Sequence, residues 1–238
     1  MQRYFVEKII DNEVVISKDQ EHHIVKVMRM RVGEQITCVN EGKVYLCEIS
    51  STLPLIIKVK EELPENNELD VKVTLLYCLP KGDKLDLVLQ KATELGVSEI
   101  ILVQSERCIA KIKKEDEARK LARFNQIVKE ASEQSKRCKI PVVEKIIQYK
   151  DIASFKFDHQ FIAYENEREE TFFEKLQNVK NNESIGILIG SEGGFSLKEV
   201  EFAKENNYHS ISLGKRILRS ETASMYALSV LSFYLESR

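Results

Sequence analysis

The chain has 238 residues, with 36 Lys and Arg against 38 Asp and Glu and a formal net charge of −2. Hydrophobic residues make up 43% and charged residues 31%, a composition typical of globular proteins that excludes disordered and fibrous chains. No apolar run approaches the roughly 18 residues that a membrane span needs.

The cysteines argue against metal centres and disulfides. All five are widely spaced, without a CxxC pair or a Cys/His cluster: Cys38, Cys47, Cys78, Cys108 and Cys138. The first residues also lack an apolar signal segment. We therefore expect a cytoplasmic protein with reduced thiols, no bound metal and no membrane association.

Residues 61–70 are predicted to link two domains, because they are acidic and contain Pro64 and two asparagines. Residues 1–70 carry 9 basic and 13 acidic groups, a net charge of −4. Residues 71–238 carry 27 and 25, a net of +2. The acidic balance of the first domain therefore excludes a generic surface for binding polyanions.

Short strands dominate residues 1–70. Strand-like runs occur at 4–6, 14–16, 35–39, 44–49 and 55–59, with a hairpin turn at 40–42. Residues 19–30 have helical spacing, and Gly33 breaks it. The pattern predicts a small β-barrel of about 70 residues.

Strands and helices alternate in residues 71–238. Apolar runs at 71–78, 100–103, 160–163, 184–189 and 209–213 predict strands. Helical spacing covers 85–95 and 116–137, and further helices are predicted from Ser196 and Ser220. This alternation predicts an α/β domain with a mainly parallel sheet.

A glycine-rich loop follows the predicted strand 184–189. Gly190, Gly193 and Gly194 lie between that strand and a helix that begins with a capping box at Ser196. Ligands of α/β sheets bind beyond the carboxyl ends of strands, so the loop is suited to ligand binding; a tight turn without a ligand is the alternative. The spacing matches neither a P-loop nor a dinucleotide fingerprint.

A second loop, 214–223, places apolar Ile217 and Leu218 on a strand-to-helix connection. Apolar residues in such a loop need a cover, for which an adenine ring and a partner subunit are two candidates. In the alternative, they pack into the domain core.

Together these segments resemble the ribosomal RNA small subunit methyltransferase E family of the SPOUT superfamily. The paired C-terminal motifs are 189–195, IGSEGGF, and 213–223, LGKRILRSETA. Weaker matches lie at 3–5, 23–29, 80–84, 91–97, 105–107 and 130–137, so the likeness covers almost the whole chain in order. Ser191 stands where the family usually has Pro, and Ser220 where Thr is more usual. The first change softens the loop, and the second keeps a hydroxyl.

The resemblance implies a PUA-like β-barrel that binds RNA in residues 1–70 and a SPOUT methyltransferase domain with a trefoil knot in 71–238. It also implies a homodimer that uses S-adenosyl-L-methionine to methylate N3 of one uridine in 16S ribosomal RNA. The substrate is either the free RNA or the assembled small subunit.

The same resemblance implies that two loops and one strand end bind the cofactor. These residues are Ala163, Tyr164, Glu165, Ile189, Gly190, Ser191, Gly193, Gly194, Leu213, Gly214, Ile217 and Leu218. Binding through backbone groups is expected.

Three residues are candidates for catalysis, because a uridine N3 anion needs a base or a stabilising cation. Arg219 is expected to hold a uracil oxygen or a phosphate, or else to pair with an acid such as Glu221. Glu221 either accepts a proton or stabilises the N-terminus of its helix. Glu130 lies on the predicted helix 116–137.

The RNA-binding candidates lie on both predicted domains. They are Arg3, His23, Arg29, Arg107, Arg123, Gln134 and Arg137. Residues 105–139 carry 11 basic and 6 acidic groups, a net of +5, which favours contact with phosphates. A solvated helix face is the simpler explanation of this basic stretch.

Two other functions are compatible with parts of this pattern. A non-catalytic RNA-binding protein would bind RNA without transferring a methyl group, but it has no use for the paired glycines. A nucleotide-binding enzyme for small molecules would turn over without RNA, but the chain lacks its motifs.

Overall fold

The computed structural model describes all 238 residues and divides into two compact units. The first comprises Met1–Glu68 and Ser132–Lys139, and the second Leu69–Ala131 and Ile140–Arg238. The sequence-based boundary at residue 70 did not include 132–139 in the first unit. None of the helices combines the length and apolar character that crossing a bilayer requires.

The first unit is built on a six-stranded sheet. Its strands are β1 (Arg3–Phe5), β2 (Lys8–Ile10), β3 (Glu13–Val15), β4 (Gln35–Asn40), β5 (Lys43–Thr52) and β6 (Leu55–Leu63). They are ordered β1-β4-β5-β6-β3-β2, and β1 and β4 run parallel while the other pairs are antiparallel. Strand β6 extends into the predicted linker because long β5 continues to pair with it as far as Leu63.

One helical segment packs into this sheet. Helix α1 (Lys18–His22) begins with a capping box between Ser17 and Gln20, and a π-helical turn (His23–Val27) continues it. The segment was predicted as a single helix over 19–30. Its Ile24 is fully buried together with Ile36, Ile49 and Ile57, and these residues form the core of the unit.

The second unit contains a parallel sheet, as predicted. Its strands are β7 (Lys72–Cys78), β8 (Glu99–Gln104), β9 (Ile146–Gln148), β10 (His159–Ala163), β11 (Ser184–Ile189) and β12 (His209–Ile211). They are ordered β12-β10-β11-β7-β8-β9, with every pair parallel. All six strands therefore end at one edge. The sequence prediction missed β9, which is three residues long.

Five α-helices belong wholly or mostly to the second unit. They are α2 (Lys84–Glu94), α3 (Lys114–Gln134), α4 (Phe172–Leu176), α5 (Leu197–Glu205) and α6 (Ser220–Glu236), and a 3-10 helix covers Tyr149–Ser154. Only the last three residues of α3, 132–134, belong to the first unit. The central strands are apolar and buried along nearly their whole length, as expected where helices cover both faces of a parallel sheet.

Candidate functional site

A cleft of about 220 Å³ opens at the carboxyl edge of the parallel sheet. Three segments line it: 163–165 after β10, 189–195 after β11, and most of 212–218 after β12. Ser220 and Ala223, in the first turn of α6, complete the lining. Parallel strands bring these segments together, because neighbouring strands β12, β10 and β11 end on the same side.

Every residue predicted from the resemblance to bind a cofactor lines this cleft. The twelve are Ala163, Tyr164, Glu165, Ile189, Gly190, Ser191, Gly193, Gly194, Leu213, Gly214, Ile217 and Leu218. The cleft also contains Glu192, Phe195, Ser212 and Arg216, which were not predicted as cofactor-binding residues. In the sequence, the one indication that these four residues line the site was that they lie within or next to the two loops.

Close backbone packing explains the glycines of the first loop. Gly194 has a φ of +62°, and a Cβ there would lie 2.8 Å from Glu165 Oε1. A Cβ on Gly193 would lie 2.9 Å from Arg107 Cβ. The loop therefore packs tightly against its neighbours, and larger side chains would displace the wall of the cleft.

Ser220 connects the glycine loop to the start of α6. Its hydroxyl contacts the carbonyl oxygen of Gly190, and it also lies 3.0 Å from the hydroxyl of Tyr77. Tyr77 is fully buried, and this burial raises its pKa. The phenol therefore stays protonated at neutral pH.

Lys84, the first residue of α2, holds two carboxylates at the rim of the cleft. Its ammonium lies 2.9 Å from Glu192 Oε1 and 3.2 Å from Glu221 Oε2, the latter an ion pair without hydrogen-bond geometry. Partial burial opposes ionisation of Glu192, but hydrogen bonds from Lys84 and from the backbone N–H of Lys81 hold its pKa below the ordinary value. The carboxylate of Glu221 is thus paired in this structure.

The cleft has features that fit a flat group with polar edges. The side chain of Ile217 is 81% exposed, which excludes the alternative that it packs into the core. Ser191 Oγ is buried without a hydrogen-bond partner of good geometry, although it lies near the Cys108 thiol, whose pKa is lowered mainly by a hydrogen bond with Cys78 and to a smaller extent by Ser191. An apolar cover, an unpartnered hydroxyl and accessible backbone suit an adenosyl group.

The predicted catalytic residues do not form one group. Arg219 is exposed and lies between two lining residues, Leu218 and Ser220, without lining the cleft itself. Glu130 lies on the surface of α3, where it accepts a hydrogen bond of 2.8 Å from Gln126 Nε2. It is not a lining residue of the cleft, so we assign it no catalytic role in the single chain.

Arg3 and Arg137 are unsuited to bind RNA, which corrects the sequence-based expectation. Both are only 3% exposed. The guanidinium of Arg3 pairs with Glu65 and donates to the Arg137 carbonyl at 3.3 Å, while that of Arg137 pairs with Glu68. Both charges are neutralised inside the first unit, where they stabilise its fold.

The other RNA-binding candidates of the first unit are more accessible. Arg29 is exposed and has a φ of +53°, and Gln134, the last residue of α3, is also exposed. His23 is half-buried, with Nδ1 2.9 Å from the hydroxyl of Tyr4. Their contact with RNA stays a prediction.

In the second unit, Arg107 and Arg123 make contacts within the chain. Arg107 Nη1 donates to the Gly193 carbonyl oxygen at 2.9 Å. Arg123 pairs with Asp86 of α2. Both arginines remain largely exposed, so these contacts do not exclude binding of RNA.

Comparisons with known families agree with this arrangement. The family model of an RNA methyltransferase domain matches residues 67–232. The model of an RNA methyltransferase PUA domain matches residues 16–60. The two models match part of the first unit and most of the second, and they include every segment of the cleft.

Similar proteins match along nearly their full length. Ribosomal RNA small subunit methyltransferase E of Bacillus subtilis is 37% identical, covering 99% of this chain and 98% of the relative. The Mesomycoplasma hyopneumoniae protein of the same name is 33% identical, covering 96% and 98%. The structure of the Neisseria gonorrhoeae protein bound to S-adenosyl methionine is 29% identical, with a TM-score of 0.86 and 98% of each chain covered.

The fold and the matched domains define an RNA methyltransferase with an N-terminal PUA domain. The full-length similarity is more specific. The chain belongs to the ribosomal RNA small subunit methyltransferase E family.

Proposed function

We propose that this chain transfers a methyl group from S-adenosyl-L-methionine to N3 of one uridine in 16S ribosomal RNA. The observation that carries the proposal is the cleft formed by the two loops after β11 and β12, which contains backbone-accessible glycines and an exposed apolar cover. A member of the family with the same fold binds S-adenosyl methionine.

The cofactor would be held by the two loops and by residues 163–165. When bound, it supplies an electrophilic methyl group on a sulfonium. The chain's own contribution is position: glycine backbone allows close approach, and Ile217 and Leu218 cover an apolar face. The buried hydroxyl of Ser191 has no hydrogen-bond partner of good geometry in the chain and could form one with the cofactor. Residues Glu192 and Glu221 are kept in place by Lys84.

Uridine N3 carries a weakly acidic proton that must leave before N3 becomes nucleophilic. Positive charge next to the base stabilises the resulting anion and lowers the free energy of that proton transfer. Arg216 lines the cleft and Arg219 follows closely in the chain. We assign the stabilising role to Arg219, with Arg216 as the neighbouring charge. Glu221 would accept the proton only after leaving its ion pair with Lys84.

A trefoil knot and a homodimer are parts of the same proposal. The hydroxyl of Ser220 contacts Gly190, so the start of the last helix packs against the glycine loop, and this contact is compatible with a knotted C-terminal segment. On α6, Tyr226 is 43% and Phe233 74% exposed. A second copy of the chain that covers these aromatic side chains would bring two clefts close to one interface.

The PUA domain is proposed to bind the ribosomal RNA substrate in the cytoplasm, with the exposed Arg29 as a predicted contact. A non-catalytic RNA-binding protein would have no need for the tight packing around Gly193 and Gly194. A small-molecule enzyme is disfavoured by the match to an RNA methyltransferase domain across residues 67–232.

Mass-spectrometric mapping of modified uridines in 16S ribosomal RNA tests the proposal. Cells lacking this chain should lose one N3-methyluridine, and adding the chain back should restore it. An unchanged set of modified uridines, or a lost mark that the chain does not restore, would contradict the proposal.

A further inference from the structure

A second cavity opens at the carboxyl edge of the parallel sheet, beyond the ends of β8 and β9. It has a volume of about 430 Å³ and none of its lining residues lines the cofactor cleft. We call it the lysine cavity, and its lining consists of Gln104, Ser105, Glu106, Cys108, Lys111, Gln148, Tyr149 and Lys150.

Neighbouring strands supply two amide groups to this cavity. Gln104 and Gln148 are the last residues of β8 and β9, and they are register partners in the parallel pair. Partners in register project toward the same side of a sheet. The side chain of Gln104 makes no hydrogen bond in the structure, so its amide is available to a ligand.

Two ammonium groups make the lysine cavity positive. Lys111 and Lys150 are exposed, and neither forms an ion pair within the chain. The one carboxylate of the lining belongs to Glu106, and its Oε2 accepts a hydrogen bond of 2.9 Å from Ser196. Free cations and amide donors around a concave surface favour an anionic ligand, and a phosphate matches this set of donors.

The loop that lines the lysine cavity packs against the glycine loop of the cofactor cleft. Ser105 and Cys108 face the cavity, while Arg107, between them, donates to the carbonyl oxygen of Gly193 at 2.9 Å. A Cβ on Gly193 would lie 2.9 Å from Arg107 Cβ, so loop 105–108 and the glycine loop are in direct contact. The two sites are therefore separated by two loops that are in direct contact.

We propose that the lysine cavity binds a phosphodiester group of the substrate RNA, on the strand that carries the methylated nucleotide. This inference rests on the proposed function and adds an anchor to it in the methyltransferase domain. Lys111 and Lys150 neutralise the phosphate, and Gln104 donates a hydrogen bond to it. None of the three takes part in holding the cofactor.

Filter binding of 16S ribosomal RNA at several salt concentrations tests the anchor without requiring turnover. The double variant Lys111→Ala/Lys150→Ala should bind the RNA about tenfold more weakly than the unaltered chain. The slope of log affinity against log salt should become shallower by about 0.7, which corresponds to one phosphate that is no longer neutralised on a single strand. Lys156→Ala/Lys204→Ala is the matched control, because both lysines are exposed and the change in charge is the same.

Calorimetry and steady-state kinetics complete the test. Affinity for S-adenosylmethionine should be equal in both double variants and in the unaltered chain, and the KM for RNA should rise only in Lys111→Ala/Lys150→Ala. RNA affinity and salt slope equal to those of the control variant, or no RNA binding by the unaltered chain, would overturn the anchor. If the unaltered chain binds RNA but transfers no methyl group, the proposed function fails. The RNA affinities and salt slopes of the two double variants still show whether the lysine cavity binds a phosphate of the RNA.

Discussion

The ammonium of Lys84 lies 2.9 Å from Glu192 Oε1, so the first residue of α2 is tied to the glycine loop. The same ammonium reaches Glu221 in the first turn of α6. One cation thus connects the start of two helices with the cleft wall. It holds the two carboxylates, which would otherwise repel each other, at the rim of the cleft.

Replacing Lys84 should loosen the cleft wall. Lys84→Met keeps the aliphatic stem but leaves Glu192 and Glu221 without their cation, so we expect affinity for S-adenosylmethionine to fall about three- to tenfold. Calorimetry measures the effect, with Lys198→Met, an exposed lysine of α5, as the control. Equal affinity for S-adenosylmethionine in the two variants would show that the ion pairs of Lys84 with Glu192 and Glu221 have no effect on the cleft.

A side chain at Gly194 should close the cofactor cleft. The valine of Gly194→Val would need a φ near +62°, and its Cβ, 2.8 Å from Glu165 Oε1, would displace the flexible end of this cleft-lining side chain, so cofactor binding should be lost while the protein remains folded. Gly33→Val is the control, since Gly33 also has a positive φ but has open space around its Cβ position. Unchanged calorimetric affinity in Gly194→Val would refute the assignment of this loop.

The buried guanidinium of Arg3 should matter for stability. Arg3→Ala removes the ion pair with Glu65 and the hydrogen bond to the Arg137 carbonyl, and we expect a loss of about 2–4 kcal/mol in the free energy of unfolding of the first unit. The exposed Arg29 is the matched case, and Arg29→Ala should weaken RNA binding at unchanged stability. Denaturant unfolding measures the loss of stability, and filter binding measures the loss of RNA affinity. Weaker RNA binding at unchanged stability in Arg3→Ala would restore Arg3 as an RNA contact.

The loop after β10 should be sensitive to acid. Ser210 Oγ and the backbone N–H groups of 168–170 donate to the Glu167 carboxylate, with Ser210 the main contributor, and lower its pKa to about 2. Since the unfolded value is about 4.3, this stabilisation is complete above that pH and is lost as pH falls toward about 2.

The variant Glu167→Gln should therefore have a lower Tm than the unaltered chain at neutral pH, and the gap should close between about pH 4.3 and pH 2. Glu169→Gln is the control, because the Glu169 side chain is exposed. A gap that is independent of pH in thermal unfolding would contradict the role given to Glu167.

Local sequence patterns predicted the parallel sheet because its strands are continuous apolar runs and its loops contain glycine. The capping residue Ser196 likewise marked the start of α5. Register and sheet order are not local properties, so the meeting of 163–165 with the two loops followed only from the resemblance. Patterns of spacing alone did not reveal it.

Charge in the sequence was a poorer guide to the site. Arg137, in the basic stretch 105–139, and Arg3 both look like surface cations, but their partners Glu68 and Glu65 are distant from them in sequence. In the sequence, Lys84 belongs to the motif 80–84, but nothing marks it as an ion-pair partner. Both its carboxylate partners lie more than 100 residues away. Such pairs depend on tertiary structure and leave no periodic signal.

Transfer of a labelled methyl group from S-adenosylmethionine to small-subunit ribosomal RNA tests the central claim most directly. The reaction should be run on free 16S RNA and on small subunits from cells lacking this chain, with Gly194→Val in parallel. We predict label at N3 of a single uridine with the unaltered chain and none with the variant. Absence of label on both substrates, or equal labelling by Gly194→Val, would contradict the account.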